Sequence, residues 1–138
     1  MKQLLLVEDD PLSRAVVKDM FRYNDVPGEL VCVESGEAAL AAIPVLNPQV
    51  ILMDIRLPGI SGVEATKAIK SNPSTKHIRV WAITALRARA DVEAALAAGC
   101  DGYFVKPIDT ANLAFQLRGF FENLQPERQT HEKEMVLS

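Results

Sequence analysis

The chain has little of several things whose abundance would assign its class at once. Its 138 residues include two cysteines, one tryptophan and two tyrosines, and aromatics make up 6%. Two cysteines cannot build the disulfide framework of a small secreted scaffold, and Cys32 and Cys100 match no metal-ligand spacing, so both read as reduced packing residues. Neither sign of charge dominates: 15 basic against 18 acidic residues give a formal net charge of -3. Duplex binding draws most of its affinity from a basic face, and no cluster of Lys and Arg supplies one, so nucleic acid is not expected as a direct partner. No apolar run has membrane-spanning length, so no membrane partner is expected either. Met1-Lys2 leads straight into a strand-like segment with no room for a signal sequence, and the expectation is a cytoplasmic protein.

What is present suits one well-buried core. Apolar residues make up 49% and charged residues 24% of a chain too short for two ordinary domains. Strand-length apolar runs alternate with stretches of helical period, the pattern of a parallel sheet built from βα units. The expected strands are Leu4–Val7, Leu30–Val33, Val50–Met53, Arg79–Ile83 and Gly102–Val105. Between them, helix one starts at Pro11 with Leu12, Ala15, Val16 and Met20 recurring, and runs to about Tyr23. Helix two follows an N-cap at Ser35, carries Ala39, Leu40 and Ile43 on its apolar side, and is expected to end at Pro44 and Asn47-Pro48. Helix three, about Val63 to Ser71, has Ser61 as a cap and Val63, Thr66 and Ile69 on one side. Helix four, about Ala88 to Ala98, is expected to face inward with Ala90, Ala94, Ala97 and Ala98 around Val92 and Leu96, and Gly99 stops it. Helix five repeats Leu113, Leu117, Phe120 and Leu124.

Four of the strand-like runs stop on polar residues suited to phosphate or a divalent metal: Glu8 and Asp9, Asp54, Thr84, and Lys106. Right-handed crossovers put the carboxyl ends of parallel strands on one edge, and ligands bind there where the strand order reverses. The flavodoxin-like order 2-1-3-4-5, one of the common orders for such sheets, would bring Glu8, Asp9 and Asp54 together. Clustered carboxylates repel unless one is protonated or a cation intervenes, and an all-oxygen set suits Mg2+. Asp54, alone at its strand end and facing the loop Arg56 to Gly62, is the candidate nucleophile for a phosphoryl group. Lys106 would neutralise charge on the transferred group and Thr84 would donate a hydroxyl hydrogen bond.

Taken together, the segments Leu5 to Asp10, Met53 to Gly62, Ile83 to Ala85 and Ala97 to Pro107 resemble the receiver domain of two-component response regulators, in the right order over residues 2 to about 124. The resemblance implies a flavodoxin-like (βα)5 three-layer sandwich with a five-stranded parallel sheet. It implies a phosphoacceptor role for Asp54, which also joins the metal site, with Asp9 as the more direct Mg2+ ligand, Glu8 acting largely through water, and the backbone carbonyl of Arg56 as a further ligand. Thr84 and Tyr103 match a switch pair, and Lys106 the phosphate-contacting lysine before what is often a cis proline. Implied partners are a histidine kinase or histidine phosphotransfer protein, docking on helix one and the Pro107-Ile108 loop, and a downstream protein target, with self-association left open. Helix four, the strand holding Tyr103 and helix five form the expected moving face.

Two positions depart from the commonest pattern. Arg56 puts a long cation two residues after the acceptor, and Leu86 stands two residues after Thr84, where it is expected to restrict water and lengthen the phosphorylated state. After Leu124, Pro126 ends the helix, so the domain is placed at 1–124 and residues 125–138 read as a charged tail with no output domain. Taken singly, the same residues have plainer readings: a solvated acidic turn, a strand-end hydroxyl, a half-buried tyrosine, a surface lysine. Trp81 is core or partner surface. His77 and His131 are weak phosphodonor candidates. Two other functions stay open: a receiver-shaped interaction module that needs no phosphate, and an aspartyl-phosphate hydrolase of the dehalogenase type. The hydrolase expects a second acid where Arg56 stands.

Overall fold

The structure is a computed structural model that describes residues 2–85 and 89–123. Five strands alternate with five helices: β1 (Gln3–Val7), α1 (Pro11–Tyr23), β2 (Glu29–Val33), α2 (Gly36–Leu46), β3 (Val50–Asp54), α3 (Gly62–Ser71), β4 (Arg79–Thr84), α4 (Arg89–Ala97), β5 (Gly102–Val105) and α5 (Thr110–Glu122). All the strand pairs are parallel and the sheet order is β2-β1-β3-β4-β5. This is the expected α/β flavodoxin-like architecture, with β1 and β3 side by side where the order reverses.

Strand periodicity divides the core in two. Leu4 and Leu6, Val50 and Leu52, Trp81 and Ile83 point to the face covered by α1 and α5, where they meet Val17, Met20, Leu113, Leu117 and Phe120. Leu5 and Val7, Ile51 and Met53, Val80 and Ala82 point to the face covered by α2, α3 and α4, against Ala39, Ile43, Ala65, Ile69 and Ala95. With both faces covered, the inner strands read as continuous apolar runs. Trp81 is core, 1% exposed, with Phe104 and Phe120 rings 5.9 and 5.8 Å from its own. Cys100 is buried and Cys32 half-buried, and both are free thiols. Among the described residues no helix is long and apolar enough to cross a membrane.

Three expectations need correction. In α1 the residues facing the core are Val17 and Met20, while Leu12 is 73% exposed and Ala15 and Val16 are exposed with it. The apolar stripe of α1 is broader than the core contact. In α2, Pro44 does not end the helix, which runs on to Leu46 before Asn47 caps it in the left-handed conformation at φ 50°. Proline removes one bond to the carbonyl four residues back, and Pro44 is on the exposed side, where that loss is cheapest. In α4, Ala90, Ala94, Leu96 and Ala97 are exposed, and the buried residues are Ala95 and Ala98, just past its end, with Val92 half-buried. An alanine-rich helix has no strong apolar moment to set its rotation, so its neighbours set it. Leu86, Ala88, Leu124, His131 and the tail at 125–138 lie outside the described residues.

Candidate functional site

Strand register brings the polar ends together. Val7 pairs with Met53, Asp54 with Ile83, and Thr84 with Val105, the residue before Lys106. Backbone bonds carry the ladder past the strands: Glu8 N–H donates to Val33 O at 3.0 Å, Ile55 N–H to Ile83 O at 3.0 Å, and Lys106 N–H to Thr84 O at 2.7 Å. The Lys106-Pro107 peptide is cis. Glu8, Asp54 and Thr84 are buried at 1%, 5% and 1% exposure, whereas Asp9 is exposed.

The acidic cluster predicted from sequence is assembled. One carboxylate oxygen from each of Glu8, Asp9 and Asp54 lies within 4.8 Å of the other two. Lys106 Nζ stands 2.7 Å from Glu8 Oε1 and 3.5 Å from Asp54 Oδ2. The closer contact is a charge-assisted pair that sets the ammonium against a buried carboxylate oxygen. The other Glu8 oxygen accepts from Asp10 N–H at 3.2 Å, and Asp54 Oδ1 accepts from Arg56 N–H at 3.1 Å. Burial pushes the Glu8 carboxyl up from its ordinary pKa, and the neighbouring Asp54 carboxyl adds to this, while Lys106 pulls it back. Burial works against the Lys106 ammonium, but Glu8 and Asp54 outweigh it and the lysine is raised. Three carboxyl groups thus share one ammonium. Carboxylate oxygens from Glu8, Asp9 and Asp54 make a hard, all-oxygen donor set that fits a divalent cation such as Mg2+.

The loops that hold this cluster are built by local chemistry. Asp10 caps α1, its carboxylate accepting from Ser13 N–H at 3.1 Å and Ser13 Oγ at 2.8 Å, and these bonds hold its pKa below the usual carboxylate range. Arg14 Nη1 donates to Glu8 O at 3.0 Å, tying α1 to the end of β1. After β3 the chain folds back so that Gly62 N–H donates to Ile55 O at 2.8 Å, and a Cβ at Gly62 would collide with the backbone carbonyl of Asp54. Ser61 and Glu64 form a reciprocal capping box at the start of α3, and Glu37 of α2 accepts from Ile60 N–H at 3.1 Å.

Tyr103 lies on β5 opposite Ala82, half-buried against the core beneath α2, α3 and α4. His77 is exposed in the connection before β4, away from the cluster. The expected docking surface takes shape as a groove, and one further contact went unseen in the sequence. A groove of about 370 Å³ beside Lys106 is lined by Leu12, Val16, Ala85, Pro107 and Ile108. The Arg56 guanidinium reaches Asp91 in the first turn of α4, Nη2 to Oδ2 at 3.3 Å. The groove had a signal in Leu12 and Val16, apolar residues at helical spacing next to a chemical edge. The ion pair had none, because it joins separate βα units.

Comparison with known proteins agrees with this geometry. The family model of the response regulator receiver domain matches residues 4–118. The polar-differentiation response regulator DivK of Brucella ovis is 33% identical over 119 residues, 86% of this chain and 95% of that protein. The receiver domain of a sensor histidine kinase from Pseudomonas aeruginosa PAO1, solved with a magnesium ion coordinated in its active site cleft, superposes with a TM-score of 0.78 at 30% identity, over 88% of this chain and 98% of that one. A two-component response regulator from Legionella pneumophila gives a TM-score of 0.79 at 25% identity, over 90% and 100% of the two chains. The chain belongs to the response regulator receiver domain family of two-component signalling.

Proposed function

We propose that Asp54 accepts a phosphoryl group from a phosphohistidine on a histidine kinase or histidine phosphotransfer protein, and that the chain then signals by phosphorylation-dependent contact with a protein target or by relay. The single observation that carries this is the convergence of Glu8, Asp9, Asp54 and Lys106 at one sheet edge. As an Asp54 oxygen bonds to phosphorus, the P–N bond breaks and its electron pair returns to the donor imidazole. Arg56 N–H and Lys106 orient the acceptor carboxylate between them. Lys106 also neutralises charge on the transferred oxygens, and Thr84 offers its hydroxyl to them. Glu8, Asp9, Asp54 and the Arg56 carbonyl would hold Mg2+, which supplies Lewis-acid neutralisation of phosphoryl charge when bound. Thr84 and Tyr103 are assigned as the switch pair.

The groove beside Lys106 suits the donor. Its apolar lining, with Leu12 projecting from α1, fits an amphipathic helix laid across the mouth of the site. The chain acts here as a stoichiometric acceptor in the cytoplasm, with 1–124 as the receiver unit and 125–138 as a charged tail. The experiment is exposure to acetyl phosphate with Mg2+ and mass measurement against an Asp54→Asn control. One added phosphoryl group on the wild type only is expected. No addition would favour an interaction module that needs no phosphate. Catalytic turnover of phosphomonoesters would revive the hydrolase, against which Arg56 stands in the place of its second acid.

A further inference from the structure

Arg56 is placed to serve two anions. Its amide is bonded to Asp54 Oδ1 at 3.1 Å, so its side chain starts beside the acceptor, yet its guanidinium is turned to Asp91 at 3.3 Å. Among the described residues this is the one ion pair between α4 and another element, since Arg89–Glu93 lies within the helix. Apolar packing holds α4 weakly: Ala95 is its one buried residue, and Leu96 is 46% exposed. Arg56–Asp91 therefore ties the first turn of α4 to the acceptor loop.

We propose that Arg56 is an exchangeable cation that clasps α4 through Asp91 while Asp54 is bare, and turns to the phosphoryl group once Asp54 carries one. The proposal rests on the phosphoacceptor reading of Asp54. Two properties favour the exchange. The pair is long for a charge-assisted bond, and the Arg56 side chain is 62% exposed, so holding it contributes little and releasing it costs little. A phosphoryl group offers about two negative charges and a fork of oxygens that a guanidinium meets in bidentate fashion, where Asp91 offers one charge. The freed Asp91 stays in the first turn of α4, where the helix dipole favours a carboxylate. Loss of the clasp then loosens the start of α4 and links acceptor chemistry to the helix surface.

The test is titration of the full chain with beryllofluoride in the presence of Mg2+, using wild type, Asp91→Asn, Arg56→Met and the double variant. Asp91→Asn removes the competitor and should tighten beryllofluoride binding about threefold to fivefold, the range of an exposed ion pair. Arg56→Met should weaken it, and Asp91→Asn should then have no effect in the Arg56→Met background. Hydrogen exchange of α4 amides should rise in bare Asp91→Asn to the level that wild type reaches with beryllofluoride. Effects of the two substitutions that simply add, or α4 exchange unchanged by beryllofluoride, would overturn the clasp and leave the acceptor reading intact. Failure of wild type to bind beryllofluoride at all would overturn both.

Discussion

Lys106 Nζ lies closer to Glu8 than to Asp54, at 2.7 Å against 3.5 Å. In the bare site the lysine thus neutralises the buried carboxylate of β1 first and the acceptor second. Glu8 is 1% exposed, so its charge has no water to fall back on. Removing the cation from such a pair leaves an uncompensated buried charge. Because Lys106 is itself one-fifth exposed, the cost should fall below that of a fully buried pair. Lys106→Met should lower unfolding stability by about 2 kcal/mol in metal-free buffer. Adding Mg2+ should recover part of the loss. Urea melts with and without Mg2+ check both, and equal stability of variant and wild type in metal-free buffer would show that the pair is not what keeps Glu8 buried.

Gly62 is where the acceptor loop and α3 touch most closely, and a methyl there would collide with the carbonyl of Asp54. The obstacle is backbone, which cannot swing aside. Gly62→Ala should cost about 1–3 kcal/mol, as over-packing does. It should also displace Asp54 and weaken Mg2+ binding. Thermal unfolding and a Mg2+ titration read the two effects, and a variant with unchanged melting would contradict the close approach.

Leu12 and Val16 separate docking from chemistry. Both side chains are exposed, so Leu12→Glu should leave the melting temperature nearly unchanged. Phosphorylation by acetyl phosphate should also stay the same, because the small donor needs no groove. Transfer from a phosphorylated histidine kinase or phosphotransfer protein should slow about tenfold, the scale of losing one buried apolar anchor. Equal slowing with both donors would place the defect in the site and not in docking.

Cys100 gives a pH test remote from the acidic cluster. Burial pushes its thiol up to about 11 from an ordinary value of 9.0. A raised thiol pKa stabilises the fold fully below 9.0, and that stabilisation is lost as pH rises through about 11. Wild type should therefore lose about 2 kcal/mol more stability than Cys100→Ala between pH 8.5 and 11, within the roughly 1.4 kcal/mol per unit that links shifts to free energy. Denaturant melts of the two proteins across that range would show parallel decline if the thiol were solvated. At pH 8 a thiol reagent should label half-buried Cys32 well before Cys100.

Much of the site was legible because parallel strands end where their apolar runs end. Glu8, Asp9, Asp54, Thr84 and Lys106 each follow such a run, and the ladder brings them to one edge as expected. Caps were legible for the same local reason. Ser35 and Ser61 sit just before helical periods, and both accept the backbone bonds that their position predicts. What failed was rotation. Leu12, Ala15 and Val16 match the helical period as well as Val17 and Met20 do, and the sequence holds no record of which part of the stripe meets the core.

The amino-acid sequence by itself determined the order of the elements, the parallel sheet and the residues at its chemical edge, since these follow from local periodicity and from where apolar runs stop. Tertiary structure alone decided how α1 and α4 are turned, which carboxylate takes the Lys106 ammonium, and that Arg56 reaches Asp91. The physical reason is range. Hydrophobic period and capping act over a few residues, whereas side chains from separate βα units meet only after the layers have packed.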